Sequence, residues 1–163
     1  MSTIDLSRDG EIATLTLNNP GKLNAVNLGM WLQLAENMAV LSVDRDVRCV
    51  VLRGAGDEAF AAGGDLEEFV TARATLKQAL HYHGQVAAAL NAIADCPHPT
   101  VALIQGACIG GGLEIAGVCD LRVCNESARF GAPINRLGFS MYPGEMAGLL
   151  KLAGAAVMKE ILL

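Results

Sequence analysis

Apolar and polar residues alternate from the start of the chain. Ile4 and Leu6, then Ile12, Leu15 and Leu17, recur at strand spacing, and Asp9-Gly10 between them is a hairpin turn signal. Two strands are expected, over residues 3–7 and 12–18, and Asn18-Asn19-Pro20-Gly21 ends the second. The period then changes. Met30, Leu34, Met38 and Leu41 are four, four and three residues apart, which predicts a helix opened by an Asn27 cap and running to about Val43, with Trp31 in the core beside that stripe. A short apolar run at 49–52 predicts a third strand, closed by Gly54-Ala55-Gly56-Asp57.

AFAAGGDLEEF follows, a glycine-bearing loop that opens a short helix at Asp65. Residues 75–94 read as a long helix with Leu76, Leu80, Val86, Leu90 and Ile93 apolar. His81 and His83 lie on it two positions apart, so they do not face each other and are expected on the surface or at an interface. Pro97-His98-Pro99 ends the helix and leads into a strand at 100–104. Further short strands are expected at 121–124 and around Arg129-Phe130-Gly131, and Pro143 begins a last helix with Glu145 in its first turn.

The stretch GACIGGGLEIAGVCD, residues 106–120, places an acid, Glu114, inside an apolar helical pattern just after three consecutive glycines. If the helix begins in those glycines, Gly111 and Glu114 share one face about one turn, ~5 Å, apart. The first turn of a helix offers amides without internal partners at the positive end of the macrodipole. One amide donor for a developing oxyanion beside one acid/base would make half of an active site; the plainer alternative is that Glu114 only favours the helix N-terminus and the glycines only pack tightly. Other readings of the stretch fail. No Lys-Ser/Thr follows Gly111, as a P-loop requires, and Ile115 stands where GxGxxG needs its last glycine. Residues 100–119 have the length of a membrane span, but Gln105, Glu114 and the glycines interrupt it, and a central acid is costly in lipid. No membrane partner is expected.

Composition narrows the remaining classes. The 163 residues suffice for a domain with a real core, and the 52% hydrophobic content is carried by small residues, with only 4% aromatic. A net charge of −5 gives no sign of nucleic-acid binding. The five cysteines, Cys49, Cys96, Cys108, Cys119 and Cys124, have neither CxxC nor Cys/His metal spacing and read as small buried hydrophobes in a reducing compartment. No metal site is expected. MSTIDLSRDG lacks the apolar segment of a signal peptide, so the expected location is cytoplasmic.

Four segments in order, LNNPGKLNAVN at 17–27, VVLRGAGDEAFAAGGDLEEF at 50–69, PHPTVALIQGACIGGGLEIAGVCDLRV at 97–123 and ARFGAPINRLGFSMYPG at 128–144, carry a resemblance over essentially the whole chain. It resembles the crotonase, or enoyl-CoA hydratase/isomerase, superfamily. The resemblance implies an α/β fold, a crotonase-like spiral of ββα units forming one core domain over 1–163, and an acyl-CoA thioester substrate with no further cofactor. Two backbone amides that hold the thioester oxygen map onto Gly64 and Gly111. Coenzyme A recognition maps onto Lys22, Leu23 and Ala25 of the KLNA loop, with the backbone around Ala62 and Gly64. Glu114 matches the first hydratase glutamate, which positions and activates water as the base. The second hydratase glutamate falls at Ile134, which cannot move a proton. Glu145 is the nearest substitute, or else simply an acid at a helix start, and Tyr142 and Ser140 are weaker candidates.

Members are usually longer, and their C-terminal helices complete the acyl pocket and build trimers or hexamers. The resemblance therefore implies that this region is absent here, that the chain is a fragment or needs a partner, and that it exposes apolar surface. A homo-oligomer is expected. The activity implied is syn-hydration of a 2-enoyl-CoA. The loss at Ile134 leaves isomerase, thioester hydrolase and decarboxylase chemistry open, and the short chain leaves open a non-catalytic acyl-CoA-binding or assembly subunit.

Overall fold

The computed structural model describes residues 2–138 and 141–163. Strands β1 (Thr3–Asp9) and β2 (Ile12–Asn18) form the expected antiparallel hairpin, turning at Gly10 with φ +57°. Helix α1 (Leu28–Val43) starts at Asn27, whose side chain accepts the Met30 amide at 2.9 Å. Its predicted stripe is buried whole: Met30, Leu34, Met38 and Leu41.

Three further turns of chain follow one rule. Each lays one strand in a large sheet and the next in a small sheet, then adds helix. They comprise β3 (Cys49–Gly54), β4 (Ala59–Ala61), α2 (Leu66–Ala72) and α3 (Leu76–Ala94); then β5 (Thr100–Ile104), β6 (Ala107–Ile109) and α4 (Gly111–Val118); then β7 (Leu121–Cys124), β8 (Arg129–Gly131), α5 (Ile134–Leu137) and α6 (Pro143–Leu162). The large sheet has the order β1-β2-β3-β5-β7 and is parallel beyond the first hairpin, and the small sheet is β4-β6-β8, all parallel. This is the expected spiral of ββα units.

The change of sheet needs a tight corner. Gly106 has φ +61°, and a Cβ there would overlap the Glu58 carbonyl, so only glycine lets the third turn's strand bend past the one before it. The core lies between the large sheet and the helices. Leu15, Leu17, Leu52 and Ile104 from the strands meet Met30, Leu34 and Met38 of α1 and Leu90 and Ile93 of α3.

Several expectations are corrected. The stretch before Gly63 is not all loop, because its residues 59–61 form β4. Leu76 and Leu80 are exposed at 76% and 62%, while Tyr82, not anticipated, is buried in the same helix. The buried stripe of α3 begins at Tyr82 and continues through Val86, Ala89, Leu90 and Ile93. Only Cys108 and Cys119 are fully buried, and Cys124 is exposed. The last helix is broken at Gly154, where φ is +72°.

Candidate active site

The two glycine loops meet. Gly63, with φ +107°, is pinned on both sides: the Val26 amide donates to its carbonyl at 2.8 Å, and the Asp65 amide donates to the Val26 carbonyl at 3.0 Å. Between these bonds the Gly64 amide has no backbone acceptor among the described residues. On the other side, the Gly110 amide donates to the Gly131 carbonyl at 2.8 Å, fixing the start of α4 against β8. The Gly111 amide opens the helix and likewise has no acceptor among the described residues. A Cβ on Gly111 would lie 3.6 Å from the Gly64 nitrogen and 3.1 Å from the Trp31 ring, so the backbones are in contact and glycine permits that approach.

Both glycines line a cavity of about 320 Å³ together with Ala62, Glu114, Ile134 and Glu145. Glu114 lies in the first turn of α4 and is 8% exposed. Burial, and secondarily the charge of Glu145, pushes its carboxyl up to about 8, with Arg73 opposing. Glu114 therefore holds its proton at neutral pH.

Glu145 is also buried, in the first turn of α6. One carboxylate oxygen lies 2.8 Å from His83 Nδ1, and the other accepts the Tyr142 amide at 3.3 Å. The His83 ring stacks on Tyr142 with centroids 5.4 Å apart. His83, expected on the surface or at an interface, is half-buried where α3 passes beside α6, and it supplies Glu145 with a partner sixty-two positions away in sequence. Glu145 does answer the helix-start amide, as the plainer reading of it required, but it also faces the cavity that holds Glu114. Ser140 lies outside the described residues.

The loop expected to meet coenzyme A adjoins the cavity without lining it. The Leu23 carbonyl accepts the Ala62 amide at 3.0 Å, and Leu23 and Asn24 adopt positive φ, +49° and +58°. Leu23 is half exposed and Ala25 is buried. Asn24 explains this conformation, since its side chain donates to the Ala55 and Ala59 carbonyls and accepts the Asn19 amide. Lys22 is held by Asp65 and Glu67, each at 2.7 Å, and these partners raise its pKa. Sequence reasoning missed Arg73, Phe69, Tyr82 and Arg136 on the cavity wall, because nothing in a local pattern says that the end of one helix faces the start of another.

A model of the enoyl-CoA hydratase/isomerase family matches residues 7–163. The chain belongs to that family. The short-chain-enoyl-CoA hydratase of Clostridium acetobutylicum is 29% identical over 99% of the chain and 61% of that relative. The crotonyl-CoA hydratase of Syntrophomonas wolfei is 30% identical, covering 98% and 60%. Among solved structures, an enoyl-CoA hydratase/carnithine racemase from Magnetospirillum magneticum superposes with a TM-score of 0.96 at 48% identity, covering 99% of this chain and 61% of that one. An enoyl-CoA hydratase from Bacillus anthracis gives 0.88 at 28% identity, over 98% and 61%. The fold is therefore that of the crotonases, and the chain spans about three-fifths of the length of the relatives it matches. Among the described residues no helix is long and apolar enough to cross a membrane.

Proposed function

We propose that the chain carries the core of an enoyl-CoA hydratase, which adds water to a 2-enoyl-CoA thioester through an enolate held by two backbone amides. One observation carries the reading. A buried glutamate, Glu114, faces a cavity where two glycine amides, at Gly64 and Gly111, come together without acceptors of their own among the described residues. The thioester is the substrate and needs no resident cofactor. In this reading, addition at Cβ drives charge onto the thioester oxygen, where the Gly64 and Gly111 amides receive it. Loss of one such donor typically costs ~2.7–4 kcal/mol of transition-state stabilisation. The loop of Lys22, Leu23 and Ala25, bonded to Ala62, lies beside this point and suits the coenzyme A end of the substrate.

Hydration needs one group to take a proton from water and another to give one to Cα. Ile134 supplies neither. Glu114 and Glu145 together supply both, because their surroundings separate their roles. Burial keeps the proton on Glu114, while Glu145 has one oxygen beside His83 and the other on the Tyr142 amide. We therefore assign Glu145 as the base for water and Glu114 as the acid toward Cα. This differs from the expectation of Glu114 as base, and burial is the reason.

The test is hydration of crotonyl-CoA, followed by loss of its conjugated absorbance, in the wild type and Glu114→Gln. A positioned acid contributes ~10²–10⁴-fold, and a loss in that range is expected. Undiminished turnover in the variant would remove Glu114 from the mechanism. Ile134 on the cavity wall favours a second reading, in which one carboxyl shifts the double bond of a 3-enoyl-CoA. Gain of conjugated absorbance from that substrate, with no hydration, would select it. Thioester binding with no turnover of either would select a non-catalytic acyl-CoA-binding subunit.

A further inference from the structure

The cavity wall carries two polar groups that water addition does not use. Arg73 ends α2 and Tyr82 lies in α3, and both line the cavity beside Glu114. The Arg73 guanidinium sits over the rings of Phe69, at 3.7 Å, and Tyr82, at 4.1 Å. Its Nε and the Tyr82 hydroxyl are buried, and neither makes a hydrogen bond of good geometry among the described residues. Trp31 and Arg73 approach the hydroxyl as donors and oppose the effect of burial on it, which leaves its own O–H without an acceptor. No ion pair among those residues includes Arg73. Tyr82 is 1% exposed, and burial, above the other influences, pushes its hydroxyl up to about 12, so it remains a donor. A buried donor left without an acceptor destabilises the fold, and a charged one does so more. Two such donors on one wall need an answer.

The neighbouring acids do not give it. Glu114 acts on Arg73 through space but is protonated below pH about 8. Glu145 is engaged by His83 and Tyr142, and Glu68 of α2 accepts the Leu28 amide at 2.8 Å. Arg136, exposed on the cavity lining, adds more positive charge. The rest of this wall is apolar, with Phe69, Val86 and Met141.

We propose that Arg73 and Tyr82 form an anion-recognising acyl subsite, and that the substrate class is an acyl-CoA whose chain bears a carboxylate beyond the reacting carbons. A guanidinium takes a carboxylate through two parallel N–H bonds, and stacking on two rings holds its plane in place. The Tyr82 hydroxyl supplies a further donor. The proposal rests on the enoyl-CoA reading of the site and names the acyl group that reading leaves open. A coenzyme A phosphate is the other source of negative charge. The enclosed Tyr82 hydroxyl favours the acyl chain, and the experiment separates the two.

The experiment is calorimetric titration of the 163-residue chain with free coenzyme A and with two saturated acyl-CoAs of equal length, one ending in methyl and one in carboxylate. The wild type is expected to bind the carboxylate form about tenfold or more tightly than the methyl form. Arg73→Met is expected to bring that ratio to about one, Arg73→Lys to keep part of it, and Tyr82→Phe, which removes a single oxygen, to lower it about threefold. No preference in the wild type, or a preference that survives both Arg73→Met and Tyr82→Phe, would overturn the proposal. So would Arg73→Met weakening free coenzyme A as much as the acyl-CoAs. The titration needs no turnover. A preference that persists in a protein unable to hydrate either crotonyl-CoA or a 2-enoyl-CoA ending in carboxylate would sink the hydration reading and leave the subsite standing.

Discussion

At the scale of single residues, the behaviour of Glu114 follows from where it is buried. Its carboxyl titrates near 8 in the fold against an ordinary value of 4.5, so the native state holds a proton that the unfolded chain releases. Stability from this group is full below about pH 4.5, declines as the unfolded state ionises, and levels off above about 8. Denaturant titrations between pH 5 and 8 should show that decline, and Glu114→Gln should flatten it. The acid role makes a kinetic prediction of the same origin: kcat/KM for hydration should fall as pH rises through about 8. A rise over that range would return Glu114 to the role of base. His83 is a positioning residue in this scheme, since it touches Glu145 and not the substrate. Its replacement by Ala should lower kcat ~10-fold or more with KM little changed, and His83→Gln, which can still donate to Glu145, should recover part of the loss.

At the scale of elements, the site depends on how closely β4 approaches the start of α4. A Cβ on Gly112 would stand 2.6 Å from the Ala61 carbonyl oxygen and 2.8 Å from the Ala61 side chain, and backbone cannot move aside as a long side chain does. Gly112→Ala should therefore destabilise by ~1–3 kcal/mol and loosen both glycine loops, measured as a lower midpoint of unfolding together with lower activity. Gly64 differs, because its added Cβ would meet the end of the Phe69 ring, at 2.7 Å, rather than backbone. The contrast between α3 and α1 is also instructive. Both have helical apolar spacing, but α1 buries its whole stripe, while the first two turns of α3 leave Leu76 and Leu80 exposed. Periodicity announces a helix and one apolar face. It does not say how far along the helix the neighbour extends.

At the scale of the whole molecule, the far edge of the large sheet is uncovered. All four residues of β7 are exposed, including Leu121 at 58% and Val123 at 53%, and Phe130 of β8 is nearly half exposed. Apolar edges of this kind pair with other chains unless something covers them. We propose that this face takes part in homo-oligomer contacts, in line with the expectation drawn from the family resemblance. Sedimentation of the 163-residue chain should show concentration-dependent association, and Val123→Lys should reduce it. A concentration-independent monomer would remove the proposal.

The chain's own pattern determined much of this protein. The Asp9-Gly10 turn, the Asn27, Asp65 and Thr75 helix starts and the glycine-led start of α4 follow from rules spanning a few residues, because caps, turns and periodicity are local physics. Gly111 and Glu114 were singled out by the same local rules and Gly64 by the family resemblance alone, and all three line one cavity. What the tertiary structure decided is everything that depends on two distant segments meeting: the partner of Glu145 on α3, the burial that keeps the proton on Glu114, and the unanswered donors of Arg73 and Tyr82. Those depend on dielectric and distance, and a sequence fixes neither until the spiral has closed.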